Sequence, residues 1–140
     1  MRTLKAKNIH LPEDLKQKML NDPFPEHLGV EILELRPGYS RVGLPVGAHM
    51  ANIHGIVHGG VIFTLADVAL GTASNSRGVP AVAINMNINY LKKGGLGDYL
   101  VATGQEENLT RRTGLYRITV ENRQGELLAV AHGLVYRQGR

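Results

Sequence analysis

The chain has 140 residues, 43% of them hydrophobic and 20% charged, with a formal net charge of +4 and a sequence pI of about 9.6. It contains no cysteine, which excludes disulfides and thiolate metal sites, and no apolar run approaches the roughly 20 residues that a membrane span requires. The basic excess favours an anionic ligand, but no zinc-finger, arginine-rich or paired-aromatic motif indicates nucleic acid. The first 17 residues lack the apolar core of a signal peptide, so we expect a cytoplasmic protein with no membrane partner.

The N-terminal part predicts one helix followed by two strands. Residues 11–20, LPEDLKQKML, are typical of a helix because a proline suits the first turn and two acidic residues follow it. Residues 29–35 and 39–46 are predicted strands joined by the turn sequence RPG. We expect a single domain over residues 1–140, with residues 1–22 as an N-terminal helical extension.

The remainder predicts one long helix and four further strands. Residues 59–76 are rich in small and apolar residues on all sides, which indicates a helix buried on most sides. Period-2 alternation and glycine-rich turns indicate antiparallel strands at 80–93, 98–108, 113–123 and 126–137. The predicted fold class is α+β, with five or six antiparallel strands wrapped around one long central helix.

Asp67 is the only ionisable residue between His58 and Arg77, in the most apolar run of the chain. Burial of an unpaired carboxylate costs several kcal/mol, so such a group normally pairs or has a raised pKa. One interpretation is structural: Asp67 faces a polar seam and hydrogen-bonds a neighbour. The other is a general base or water-orienting carboxylate at the edge of the core.

The predicted helix opens with His58, Gly59 and Gly60. Glycines at a helix start expose backbone N–H groups, and the helix dipole favours an anion or a developing oxyanion there. A plain glycine-rich helix start is the structural alternative. Because Asp67 lies about two turns further on, one subunit would hold the two features roughly 10 Å apart, which favours a base from a neighbouring subunit.

A longer motif contains both features. The pattern N-x-x-G-x-x-H-G-G-x-x-x-x-L-A-D is formed by Asn52, Gly55, His58, Gly59, Gly60, Leu65, Ala66 and Asp67. It resembles the motif of the hot-dog-fold acyl-CoA thioesterases, most closely the phenylacetyl-CoA thioesterase (PaaI) type. The similarity extends over about residues 23–138 and includes ASNSRG, INMNINYLKKG and RRTGLYRITV.

The resemblance implies hydrolysis of an acyl-CoA thioester, with aryl-acetyl groups such as phenylacetyl among the candidate substrates. Gly59 would polarise the thioester carbonyl through its N–H, and Asn52 would assist that carbonyl or place the acyl group. Asp67 of the facing subunit would activate water or attack directly, and the sequence does not decide between these routes. His58 would support the turn beside Gly60 rather than act as a nucleophile, because no serine or cysteine lies near it in the motif.

One departure from the family pattern modifies this assignment. Some relatives carry a serine or threonine where this chain has Ala83, so Asn85 or Ser76 would have to hold the attacking water, or Asp67 would hold it alone.

Met86 and Ile88 fit either an acyl pocket or the core. His54 and His58 have i,i+4 spacing but no third ligand, and neither a metal nor another cofactor is implied.

The phosphates of coenzyme A require cations. Five basic residues at the predicted ends of the helix and strands are candidates that loops could bring to one rim, although each alone is typical of a solvated surface: Arg77, Lys92, Lys93, Arg111 and Arg112. The resemblance implies a homotetramer built from dimers, with sites at the subunit interface. The alternatives are a non-catalytic acyl-CoA-binding hot-dog domain, a hot-dog hydratase or dehydratase using His58 and Asp67, and a purely structural role.

Overall fold

Two short helices precede the first strand in residues 11–138, the part of the chain that the computed structural model describes. Helix α1 spans Glu13–Leu20 and confirms the predicted helix. Helix α2 spans Pro23–Leu28 and was not predicted, although proline in its first turn and Gly29 at φ 94° after its end are ordinary start and stop signals. Residues 1–10 of the predicted extension lie outside the described residues, so its boundary stays a prediction.

Six antiparallel strands in the described part of the chain form one sheet, which confirms the α+β fold class. In chain order their bounds are β1 Glu31–Arg36, β2 Tyr39–Pro45, β3 Ala81–Tyr90, β4 Tyr99–Leu109, β5 Thr113–Glu121 and β6 Leu127–Arg137. Their order in the sheet is β1-β2-β4-β5-β6-β3. Strand β2 therefore pairs with β4, and β3 lies at the far edge beside β6. A short 3₁₀ turn at Ala48–Met50 was not predicted.

Strand β3 does not alternate regularly along its length. A bulge between Ala83 and Asn85 shifts its register against β6. After the bulge, Met86 and Ile88 pack against the core, whereas Val82 and Ile84, before and at the bulge, are exposed. The bulge divides the predicted period-2 pattern of this strand into two parts.

Helix α3, Gly59–Asn75, crosses the inner face of the sheet and contacts all six strands. Two strand glycines allow this close approach: a Cβ on Gly133 would lie 2.6 Å from Leu70, and one on Gly104 would lie 2.8 Å from the Ala69 carbonyl oxygen. The Ser40 hydroxyl donates to that same oxygen over 2.8 Å. The helix is thus fixed against β2, β4 and β6 along its inner side.

The opposite side of α3 is open. Phe63 and Asp67 are exposed, and burial is confined to the broad face that meets the sheet. The prediction of a helix buried on most sides is therefore wrong for the isolated chain, because the sheet wraps only one side. No helix in residues 11–138 combines the length and the apolar character needed to cross a membrane.

Candidate active site

The start of α3 is capped by a histidine. His58 has φ −63° and ψ 136°, and its Nδ1 accepts a hydrogen bond from the Gly60 N–H over 2.9 Å. The His58 carbonyl accepts from the Val61 N–H over 2.9 Å. Within residues 11–138, the Gly59 N–H has no acceptor. This N–H is the donor left for a ligand at the positive end of the helix dipole.

Tyr90, the last residue of β3, packs against this helix start. Its hydroxyl donates to the Gly59 carbonyl over 3.1 Å, and its ring lies 3.5 Å from the position that a Cβ on Gly59 would occupy. Tyr90 was not predicted as a site residue. The two residues are 31 positions apart, and no local pattern signals such a contact.

Asn52 shapes the loop that leads into α3. Its Oδ1 accepts from the backbone N–H groups of His54 and Ile56, over 2.8 and 3.3 Å. The His58 N–H donates to the Met50 carbonyl over 2.8 Å and joins this loop to the helix start. Among the described residues the Asn52 Nδ2 donates to nothing, so its amide remains available to a ligand.

Asp67 lies in the middle of α3, on the wall of a cavity of about 660 Å³ between α3 and the two N-terminal helices. The residue as a whole is exposed, but its carboxylate faces this concavity. Partial burial, and secondarily the charge of Asp22, raise the pKa of Asp67. No group in residues 11–138 donates a hydrogen bond to the carboxylate. The structural interpretation, in which Asp67 hydrogen-bonds a neighbour in a polar seam, therefore has no partner residue there.

Gly59 and Asp67 are separated within one subunit. Eight residues of helix correspond to about 12 Å along the axis. The cavity beside Asp67 extends to Ala81, where β3 begins, whereas Gly59 contacts Tyr90, where β3 ends. One chain alone therefore does not bring these two groups to the same reacting atoms.

Two of the basic candidates are already paired. Arg77 forms two hydrogen bonds with Glu106, over 2.7 and 3.0 Å, and this contact raises the pKa of Arg77. Lys92 is 2.7 Å from Glu126, and the hydrogen bond from Lys92 lowers the pKa of that carboxyl. Both cations are neutralised locally and are weaker phosphate ligands than the sequence suggested.

The basic residues also do not share one rim within the chain. The Lys92 N–H donates to Leu128 at the start of β6, whereas the Arg112 carbonyl accepts from Arg137 at its end. An 11-residue strand spans roughly 33 Å, so Lys92 and Lys93 lie at the opposite end of the sheet from Arg111 and Arg112. The expectation of a single rim is not met in one subunit, because antiparallel strands place successive turns at opposite ends.

Neither candidate for holding the water lies beside Asp67. Gly133 faces Leu70 of α3, so its partner Met86 lies on the helix side of the sheet, and Asn85 lies on the other side. The Asn85 Oδ1 accepts from Asn87 over 2.9 Å. Ser76 is buried, and its hydroxyl donates to the Ala73 carbonyl and accepts from the Gly38 N–H. Ser76 therefore joins α3 to the β1–β2 turn.

The described residues contain no group of three or more histidine, aspartate or glutamate side chains that could hold a metal ion. The i,i+4 pair His54 and His58 is accordingly left without a third ligand. The Nδ1 of His58 is occupied by the helix cap. Chemistry at this site would rest on the Gly59 N–H, the Asn52 amide and the Asp67 carboxylate.

Comparison with known proteins identifies the family and the fold of the chain. The model of the thioesterase superfamily matches residues 54–129. The Escherichia coli acyl-coenzyme A thioesterase PaaI is 39% identical over 119 residues, 85% of this chain and 85% of that protein. The structure of PaaI from the E. coli phenylacetic acid degradation operon superimposes with a TM-score of 0.85 at 36% identity, covering 93% of this chain and 97% of that one. A Streptococcus mutans protein solved with acetyl CoA has a TM-score of 0.77 at 34% identity, covering 80% and 90%.

Proposed function

The chain belongs to the thioesterase superfamily and has the hot-dog fold, and on this basis we propose that it hydrolyses acyl-coenzyme A thioesters to free coenzyme A and a carboxylic acid. The relative named acyl-coenzyme A thioesterase PaaI aligns with 85% of the chain. The S. mutans relative bound to acetyl CoA supports the ligand class. Phenylacetyl-CoA is a candidate substrate, and a cytoplasmic location is part of the proposal.

One observation carries the mechanism: the Gly59 N–H and the Asp67 carboxylate, both without a hydrogen-bond partner in residues 11–138, lie toward opposite ends of β3. Strand β3 is an edge strand of the sheet. Its residues Val82 and Ile84 are 48 and 56% exposed, and Leu91, the residue directly after the strand, is 57% exposed. Such an edge is an open template for pairing. Antiparallel pairing of two β3 edges around a two-fold axis would bring the Gly59 end of one subunit toward the Asp67 end of the other.

In the resulting composite site, each group has a defined part. The Gly59 N–H, with the Asn52 amide beside it, stabilises the oxyanion that forms when the thioester carbonyl is attacked. Asp67 of the facing subunit takes the proton of the attacking water, and its raised pKa makes it a stronger base. The C–S bond then breaks, and the coenzyme A thiolate leaves and takes up a proton. Direct attack by Asp67 is the second route to the same products.

Phosphate binding is assigned to the three of the five basic candidates that have no ion-pair partner among the described residues, namely Lys93, Arg111 and Arg112. In an antiparallel β3 pair, the lysine end of one subunit approaches the arginine end of the other, which would unite the two groups that one chain separates. A tetramer built from such dimers is the proposed assembly.

The hydratase alternative is less well supported. It requires a histidine free to exchange protons with the substrate beside Asp67. Nδ1 of His58 is occupied by the Gly60 N–H, and the ring caps the helix instead.

Free-thiol release from a panel of acyl-CoAs tests the proposal. Acetyl-, phenylacetyl- and decanoyl-CoA are compared with wild type and Asp67→Asn at equal oligomer concentration. We expect wild type to turn over at least one thioester and Asp67→Asn to lose at least about a hundredfold in kcat, as for loss of a catalytic base. A folded wild type that releases no thiol, or an Asp67→Asn variant with full activity, would contradict the proposal. Incubation with an enoyl-CoA separates hydration from thiol release.

A further inference from the structure

The cavity beside Asp67 has an apolar lining that the catalytic proposal does not explain. Helix α1 has no fully buried residue, and an open space separates it from α3. One side of this space is formed by Leu15, Met19 and Phe24 from the two N-terminal helices. The other side is formed by Ile32, Phe63 and Val68. The volume of about 660 Å³ is within the range of small-molecule sites.

The uncharged polar side chains along the α3 wall are already satisfied by backbone atoms. Thr64 and Thr72 donate to the Gly60 and Val68 carbonyls, both over 2.8 Å. The Asn75 amide donates to the Gly71 carbonyl over 2.8 Å. These bonds leave a mostly apolar surface. The charged groups on the walls are Asp67, Asp22 and Lys18, so the cavity suits an apolar ligand whose reactive end lies at Asp67.

A second cavity of about 530 Å³ adjoins the first. The two share Leu15, Lys18, Asn75 and Ala81 as wall residues. The second is extended by Val79, Pro80 and Val82. Leu15 is the apolar residue of α1 that borders both cavities.

We propose that the space between the N-terminal helices and α3 is the acyl pocket and that Leu15 limits the length of the acyl group. The inference rests on the proposed thioesterase function, since only then does an acyl group need to lie beside Asp67. Short and aryl-acetyl groups fit the first cavity. A medium-length alkyl chain passes Leu15 and enters the second cavity. The two cavities together therefore accept an acyl group of ten carbons.

Chain-length profiles of α1 variants test this assignment. The ratio of kcat/KM for decanoyl-CoA to that for acetyl-CoA is measured in wild type, Leu15→Trp, Leu15→Ala and Lys16→Trp. Lys16 lies on the same helix, is exposed, and is not among the residues lining either cavity, so it controls for the added indole. We expect Leu15→Trp to lower the ratio about tenfold, as for two methylenes kept from an apolar site, and Leu15→Ala to raise it. Lys16→Trp should match wild type.

The outcomes separate this inference from the proposed function. If wild type cleaves thioesters but both Leu15 variants keep the wild-type ratio, the acyl pocket lies elsewhere. A wild type that cleaves acetyl-CoA but not decanoyl-CoA would also overturn the inference. A wild type without thiol release from any acyl-CoA overturns the proposed function itself. Circular dichroism and size-exclusion profiles of the variants exclude misfolding as the cause of a changed ratio.

Discussion

The Nδ1 atom of His58 accepts the Gly60 N–H over 2.9 Å, so the histidine of the His-Gly-Gly motif caps the helix whose start it marks. This contact uses one of the first N–H groups of α3 and leaves the preceding one, on Gly59, without an acceptor among the described residues. A capping side chain satisfies one donor of the first turn, at the second or third helical position. The N–H of the first position, here Gly59, is therefore the donor that the cap does not use.

Replacing Gly59 by proline tests that donor directly. Proline removes the N–H and adds a ring, but it is favoured at the first position of a helix, and His58 already has the extended ψ that a residue before proline prefers. We expect Gly59→Pro to lower kcat about a hundredfold to a thousandfold, as for loss of an oxyanion donor. Thiol release under saturating substrate measures the effect.

The matched control is Gly59→Ala, which keeps the N–H. Its Cβ would lie 3.5 Å from the Tyr90 ring, an ordinary contact. Its kcat should therefore remain within about tenfold of wild type, well above that of Gly59→Pro. Equal losses in the two variants would show that the added carbon atoms, and not the missing N–H, impair the site.

The pH dependence of activity should respond to Asp22. Burial, and secondarily the negative charge of Asp22, raise the pKa of Asp67. The cavity walls carry three charged groups, which are Asp67, Asp22 and Lys18. Asp67 acts in its ionised form, so kcat/KM rises with pH through its pKa. Asp22→Asn removes a raising charge, lowers the pKa of Asp67 and shifts the acid limb to lower pH. Glu26→Gln, on helix α2, which begins directly after Asp22, should leave the acid limb in place. A shift toward higher pH in Asp22→Asn would contradict the assignment.

The raised pKa of Asp67 should also affect stability: activity rises as Asp67 ionises, whereas the folded state should become less stable. Because burial raises the pKa of Asp67 in the folded state above its ordinary value of 3.8, the folded state binds this proton more tightly. The contribution of this bound proton to the free energy of unfolding is complete below pH 3.8 and is lost as pH rises through the folded-state pKa of Asp67. Asp67→Asn should therefore raise Tm relative to wild type at pH 7 more than at pH 3. A lower Tm for Asp67→Asn at pH 7 would indicate that the carboxylate stabilises the fold.

Lysines 92 and 93 should differ in their effect on substrate binding. Lys92 is paired with Glu126, whereas Lys93 has no ion-pair partner among residues 11–138. We expect Lys93→Gln to raise KM for acyl-CoA about twofold to fivefold, with kcat unchanged and the difference reduced at high salt. Lys92→Gln should raise KM less. A salt-independent effect, or a larger one at Lys92, would exclude this assignment of the phosphate contact.

Close packing of α3 against β4 should make Gly104 intolerant of a side chain. A Cβ there would lie 2.8 Å from the Ala69 carbonyl oxygen, and relief requires the helix itself to shift. Gly104→Ala should lower the free energy of unfolding by about 1–3 kcal/mol, measured by urea at fixed protein concentration. Gly95→Ala is the control, because nothing lies within 4 Å of its Cβ and a change within about 0.5 kcal/mol is expected. Similar losses for both would contradict close packing at Gly104.

Local patterns predicted most of the fold. The long helix is found at Gly59–Asn75 against a prediction of 59–76, because its glycine start and small-residue face are contained in the local sequence. Helix α2 was not predicted, because a six-residue segment with two prolines is too short to show a helical hydrophobic period. The bulge in β3 was also missed, since only pairing with β6, more than 40 residues away, defines its register.

The site was predicted less completely because its geometry is non-local. The motif identified Gly59 and Asp67, but Tyr90 contacts Gly59 from a distant strand. The cavity beside Asp67 depends on the packing of α1, whose sequence shows only an amphipathic helix. Likewise, the pairing of Arg77 with Glu106 arises from the approach of α3 to β4 and leaves no trace in the local pattern.

Subunit mixing is the most direct test of the central claim, that each site combines the Gly59 N–H of one subunit with Asp67 of another. Asp67→Asn and Gly59→Pro chains with different tags are co-expressed, and thiol release is compared with that of each variant alone. In a mixed dimer one site keeps both functional groups and the other loses both. We predict recovery of about a quarter of wild-type activity for random pairing, and about half for purified mixed dimers. Mixed dimers no more active than the separate variants would contradict the account and place both groups at a site within one subunit.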